Sequence, residues 1–130
     1  LRTRALALLL IVLAALPAAA APPAPLVEYS RPAFAAAQAK NQPIVVFVHA
    51  AWCVTCRRQQ PIVQSLASDP AFAKAGLVVF VVDYADKATL QALKVTDRST
   101  LVAYRGAAER ARSSFETDAA AIRTLFEKAL

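Results

Sequence analysis

From Leu26 onward the apolar residues fall into short blocks separated by Pro, Gly and polar punctuation, and their period changes from block to block. "LVEY", residues 26–29, reads as a short strand. Arg31 to Lys40 places Ala and Phe on one side and has Pro32 at a position suited to a first helical turn. "PIVVFV", 43–48, is β-branched and does not alternate, as expected of a strand covered on both faces. Ile62, Val63, Leu66 and Ala67 return at helical spacing, and Ser68-Asp69-Pro70 stops that helix and caps a further short turn ended by Gly76. "LVVFVVD", 77–83, is a second buried strand, and Asp86 caps a helix that carries Leu90 and Leu93. "TLVAY" and "ERARSS", joined through Gly106, read as a hairpin with a polar edge strand. A last helix, with Thr117 as its expected cap, sets Ile122, Leu125, Phe126 and Ala129 on one stripe. The order βαβαβαββα predicts an α/β/α three-layer sandwich around a central mixed sheet.

The preceding residues follow a different logic. Residues 1–20 join two arginines to an apolar core from Ala5 to Leu16 and then to Pro17 and small residues, the layout of a secretory signal peptide cut near Ala18-Ala19-Ala20. Residues 21–25 form a stiff Pro/Ala leader, which leaves 26–130 as one domain. Uncleaved, the apolar core is short for a membrane span, and it is the only membrane attachment expected. The 15 basic side chains less Arg2 and Arg4 leave 13 against nine acids, a net +4 for the mature chain. With no basic run longer than Arg57-Arg58, nothing points to nucleic acid. Export places the chain in an oxidising compartment, the periplasm for a Gram-negative source.

The chain has two cysteines, both in "VHAAWCVTCRRQQP", residues 48–61. Cys53 stands where a strand gives way to a helix, facing unpaired backbone N–H groups that favour thiolate over thiol. Cys56, three residues on, shares its helix face at a spacing that suits a disulfide. Cys53 is expected to be the exposed, attacking sulfur and Cys56 the sheltered, resolving one. A disulfide closing so short a loop stabilises little, which argues against a structural staple. Two thiolates with a single histidine make half a tetrahedral metal site, which leaves a metal-binding reading open beside the redox one.

"WCVTC" after "VVFVHAA", with Pro61 five residues beyond the second cysteine, resembles the thioredoxin superfamily, and the element order agrees with it. With "SDPAF", 68–72, the motif is most similar to exported thiol reductases and to the soluble thiol-donating domain of transmembrane disulfide reductases. The resemblance implies Cys53 as nucleophile, Cys56 as resolving thiol, a redox-active Cys53–Cys56 disulfide, and Trp52, Val54 and Thr55 as neighbours of the pair. It implies a disulfide-containing protein substrate, a membrane thiol donor, and neither cofactor nor metal.

The sequence departs from that family at two places. The family's cis-proline precedes a Thr and faces the cysteines; in "VTDRSTLVAY" Ser99 holds that position ahead of Thr100. A cis bond before a non-proline costs about 2.5–4 kcal/mol, so the Arg98–Ser99 peptide is expected to be trans. Ser99 either offers its hydroxyl to Cys53 (or room to a metal) or simply completes a turn. The family's buried acid, six residues before the first cysteine, is replaced by Phe47. His49 is either a proton shuttle or a hydrogen-bonded structural residue, and Asp97 and Arg98 are candidate substrate contacts. The expected function is thiol–disulfide exchange in the cell envelope that reduces its substrates; the alternatives are a disulfide oxidase, a metal or iron–sulfur carrier, and a redox-inactive adaptor.

Overall fold

A computed structural model describes residues 26–130. The expected signal peptide and leader lie outside the described residues. The elements run β1 (Val27–Glu28), α1 (Arg31–Ala39), β2 (Pro43–His49), α2 (Val54–Ala67), α3 (Pro70–Lys74), β3 (Val78–Asp83), α4 (Lys87–Ala92), β4 (Thr100–Arg105), β5 (Ala108–Ser114) and α5 (Ala119–Glu127). The five strands form one sheet in the order β1-β3-β2-β4-β5. β1 and β2 both run parallel to β3, whereas β4 is antiparallel to β2 and β5. This is the mixed sheet predicted from the alternating pattern.

Central β2 is buried from Pro43 to Val48, which explains its unbroken apolar run. Strand pleating sends alternate residues to opposite faces. Val45 and Phe47 pack with Cys53, Cys56, Val63 and Leu66 of the α2 region, Phe72 of α3, and Ile122 and Phe126 of α5. Ile44, Val46 and Val48 pack with Phe34 of α1 and Leu90 of α4. Two apolar layers therefore sandwich the sheet, and the cysteines belong to the α2/α5 side.

Helix starts follow side-chain chemistry. Ser30, Asp69 and Asp86 each accept a backbone N–H of the turn they open, the last two as the sequence predicts. Arg123 of α5 donates to the Asp69 carboxylate at 2.8 Å and holds it below its ordinary pKa. The cap of α5 is Asp118, not the expected Thr117. The Glu116 carboxylate accepts the N–H groups of Thr117 and Asp118, which shifts the helix start by one residue, and Asp118 then accepts from Ala121.

Candidate active site

β2 ends at His49, a turn follows, and α2 begins with Cys53 as its N-cap. The Cys53 sulfur accepts the N–H of Cys56 at 3.2 Å, so it lies where α2 presents unpaired donors. The two cysteines are joined as a disulfide with Cα atoms 5.2 Å apart. One expectation is corrected here: Cys53 is not exposed. Only 2% of it is accessible, against 0% of Cys56, because its side chain packs into the α2/α5 core while its neighbours Trp52 and Val54 turn outward.

Facing the pair is the loop before β4. No peptide bond among the described residues is cis, so Arg98–Ser99 is trans as expected. Ser99 does more than complete a turn. It is fully buried, and its Oγ lies 3.1 Å from each sulfur. A disulfide sulfur has no proton, so the hydroxyl is the donor. The residue adopts φ +57°, a left-handed conformation uncommon outside glycine, and three bonds hold it there. Its N–H donates to the Val48 carbonyl, and its own carbonyl accepts from Phe115 N–H and from Gln59 Nε2.

Gln59 was not anticipated from the sequence. Its side chain is fully buried, and Nε2 reaches both the Ser99 carbonyl at 3.1 Å and the Glu116 carbonyl at 2.7 Å. The signal was present: counting back four from Val63 along the apolar stripe of α2 lands on Gln59, a polar residue on a buried face. Gln59, Ser99 and Thr100 are the buried polar residues of the described chain, and all three belong to this site. Thr100 Oγ1 donates to the Asp97 carbonyl at 2.7 Å and lies 2.8 Å from Ser114 Oγ, closing the loop against β5.

The remaining candidates divide. Trp52 is 64% exposed, its ring edge-on to Tyr84, and Arg98 stacks its guanidinium between Trp52 at 5.3 Å and Phe115 at 5.6 Å. Exposed Trp52, Val54 and Phe115 thus form an apolar rim around a buried disulfide, with Thr55 half-buried on the first turn of α2. His49 is not part of it. Its ring packs edge-on to Phe47, its Nε2 is buried with no hydrogen-bond partner among the described residues, and it lines a cleft of about 340 Å³ with Glu28 and Asp83 that neither cysteine borders. Among the described residues the expected hydrogen bond to its Nε2 is not made, and no bond links its ring to either sulfur. Phe47 fills the place of the family's acid with a buried ring.

Among solved structures, Trxlp from Edwardsiella tarda is 39% identical to this chain, with a TM-score of 0.73 over 78% of this chain and 98% of its own. The chain belongs to the thioredoxin superfamily. More distant thioredoxins share the fold. A mutant thioredoxin from Halobacterium salinarum is 22% identical with a TM-score of 0.70, covering 85% of this chain and 94% of its own. Thioredoxin O2 from Arabidopsis thaliana in the oxidized state is 23% identical with a TM-score of 0.62, covering 79% and 91%. No family model and no curated protein matches the sequence. A thioredoxin-like fold that carries a CxxC disulfide at a strand-to-helix junction is a thiol–disulfide oxidoreductase. Among the described residues, no group of three or more His, Cys, Asp or Glu side chains is arranged to hold a metal ion.

Proposed function

We propose that this thioredoxin-like protein reduces disulfides of exported proteins in the cell envelope. Cys53 attacks, Cys56 resolves the mixed disulfide, and a membrane thiol donor restores the dithiol. The observation that carries the reducing direction is the modest set of groups available to a Cys53 thiolate: one backbone N–H and one hydroxyl, with no cation among the described residues bonded to either sulfur. Strong oxidants need a heavily stabilised reduced form, and two neutral donors provide much less. The apolar rim of Trp52, Val54 and Phe115 suits extended or unfolded protein substrates.

Equilibration with glutathione measures the Cys53–Cys56 couple. A potential between about −200 and −270 mV is expected, and one near about −120 mV makes the protein an oxidase. The envelope assignment comes from the signal-peptide layout of residues 1–20. Expression of the full chain in a Gram-negative host should release mature protein, with a new N-terminus near Ala20, into the periplasmic fraction. Retention of the uncut chain in the cytoplasm would place the reaction there instead.

A further inference from the structure

Ser99 stands where the family carries a proline, and its hydroxyl has two sulfurs within reach. Its Oγ is equidistant from Cys53 and Cys56 at 3.1 Å, and bonds to Val48, Phe115 and Gln59 hold its backbone. The other buried polar side chains are committed elsewhere, Thr100 to Asp97 and Ser114, and Gln59 Nε2 to two carbonyls. The charged and titratable groups flanking the site include His49 on β2, Arg57 and Arg58 on α2, Asp83 and Tyr84 at the end of β3, Asp97 and Arg98 before β4, Glu116 after β5, and Asp118 and Arg123 at the cap and on the body of α5. Among the described residues none of these side chains bonds to either sulfur. Glu116 turns its carboxylate to α5.

We propose that the Ser99 hydroxyl follows the negative charge between the two sulfurs during exchange, donating first to a Cys53 thiolate and then to a Cys56 thiolate. In the reduced protein Ser99 donates to Cys53 S⁻ and accepts the S–H of Cys56. Cys53 S⁻ bonds to one sulfur of the substrate disulfide, the substrate S–S bond breaks, and the other sulfur leaves as a thiolate that takes a proton from water. Cys53 is then neutral, and the hydroxyl rotates to Cys56. Its hydrogen bond favours the Cys56 thiolate, whose proton is released to water. Cys56 S⁻ attacks Cys53 Sγ, the bond from Cys53 to the substrate breaks, and the second substrate sulfur leaves as a thiolate. The two cysteines lose two electrons, the two substrate sulfurs gain them, and Ser99 keeps its own proton. A proline has no donor for either step, and Phe47 offers no base. The proposal rests on thiol–disulfide exchange itself and holds for either direction of electron flow.

Ser99→Gly removes the hydroxyl while accepting the positive φ. In the reduced protein, titrated by thiolate ultraviolet absorbance, the Cys53 midpoint should rise by about one pH unit, a tenfold change. With Cys53 preloaded as a mixed disulfide with thionitrobenzoate, chromophore release by Cys56 at neutral pH should slow about tenfold, its pH profile displaced upward by the same unit. Midpoints and release rates within twofold of the parent protein overturn the proposal. The unsubstituted protein provides a second reading that no folding defect can obscure. After reduction, the Cys56 S–H faces the Ser99 hydroxyl at 3.1 Å and the Val48 carbonyl at 3.8 Å. Its Raman stretch should lie at the frequency of a strong S–H···O bond, and a free or weakly bonded stretch, as the long contact to Val48 alone would give, overturns the proposal. Whether the parent protein reduces or oxidises a protein disulfide is read separately from its potential, so a failure of the proposed direction is distinguishable from a failure of Ser99.

Discussion

Cys53→Ala is expected to bring disulfide reduction down to the uncatalysed background, a loss on the order of 10³-fold or more, as for removal of a nucleophile that works as part of a unit. Cys56→Ala should fail differently. Cys53 retains its place at the start of α2 and can still attack, so a mixed disulfide should accumulate in amounts close to the protein concentration. Mass spectrometry after acid quench identifies it, and trapping at Cys56 in the Cys53→Ala protein would reverse the assignment of roles. Cys56 is fully enclosed, with its sulfur 3.8 Å from the Val48 carbonyl, whereas Cys53 adjoins the exposed Trp52 and Val54. Neither variant should lose much stability, since the disulfide closes a loop of only one helical turn.

Gln59→Leu should destabilise the fold by roughly 2–4 kcal/mol, seen as a lower denaturant midpoint at unchanged slope. Leucine nearly conserves the volume, so little of this is cavity. The loss comes from the two bonds of Nε2. The Ser99 carbonyl keeps Phe115 N–H, but the Glu116 carbonyl loses the side chain that ties it to α2. Gln59→Glu should cost more, because a carboxylate would face two carbonyl oxygens inside the core. A Gln59→Leu protein within about 0.5 kcal/mol of the parent would mean that the loop holds itself. Gln59 Oε1 has no partner among the described residues, so the residue carries a desolvation cost of its own. Its return is the position of Ser99 against the sulfurs.

Much of this molecule is legible without coordinates. The run Ile44–Val48 has no period because both faces of β2 are covered, and that alone places it at the centre of the sheet. Asp69 and Asp86 announce their helices because a short acceptor before an apolar stripe has one economical use. The cysteine spacing and the junction it occupies identify the pair, since a helix start is a local property of the chain. Thr117 misled because two adjacent residues could cap α5, and Glu116 decided between them.

Other features required contacts between residues distant in the chain. Ser99 and Cys53 are 46 positions apart, and Gln59 and Glu116 are 57. Period and propensity describe a residue and its near neighbours; the resemblance to the thioredoxin superfamily marks Ser99 and Phe47 as standing in for a proline and an acid, but not what Ser99 touches. The exposure of Cys53 likewise depends on how the strand-to-helix turn packs into the α2/α5 core, which no local pattern records. Fold and redox pair are therefore legible in the sequence alone, because they follow from local geometry and burial periodicity, and the unusual positions are legible through the resemblance to the thioredoxin superfamily. The hydroxyl shared between two sulfurs, and the glutamine that holds its loop, exist only once the sheet brings β4 against the start of α2.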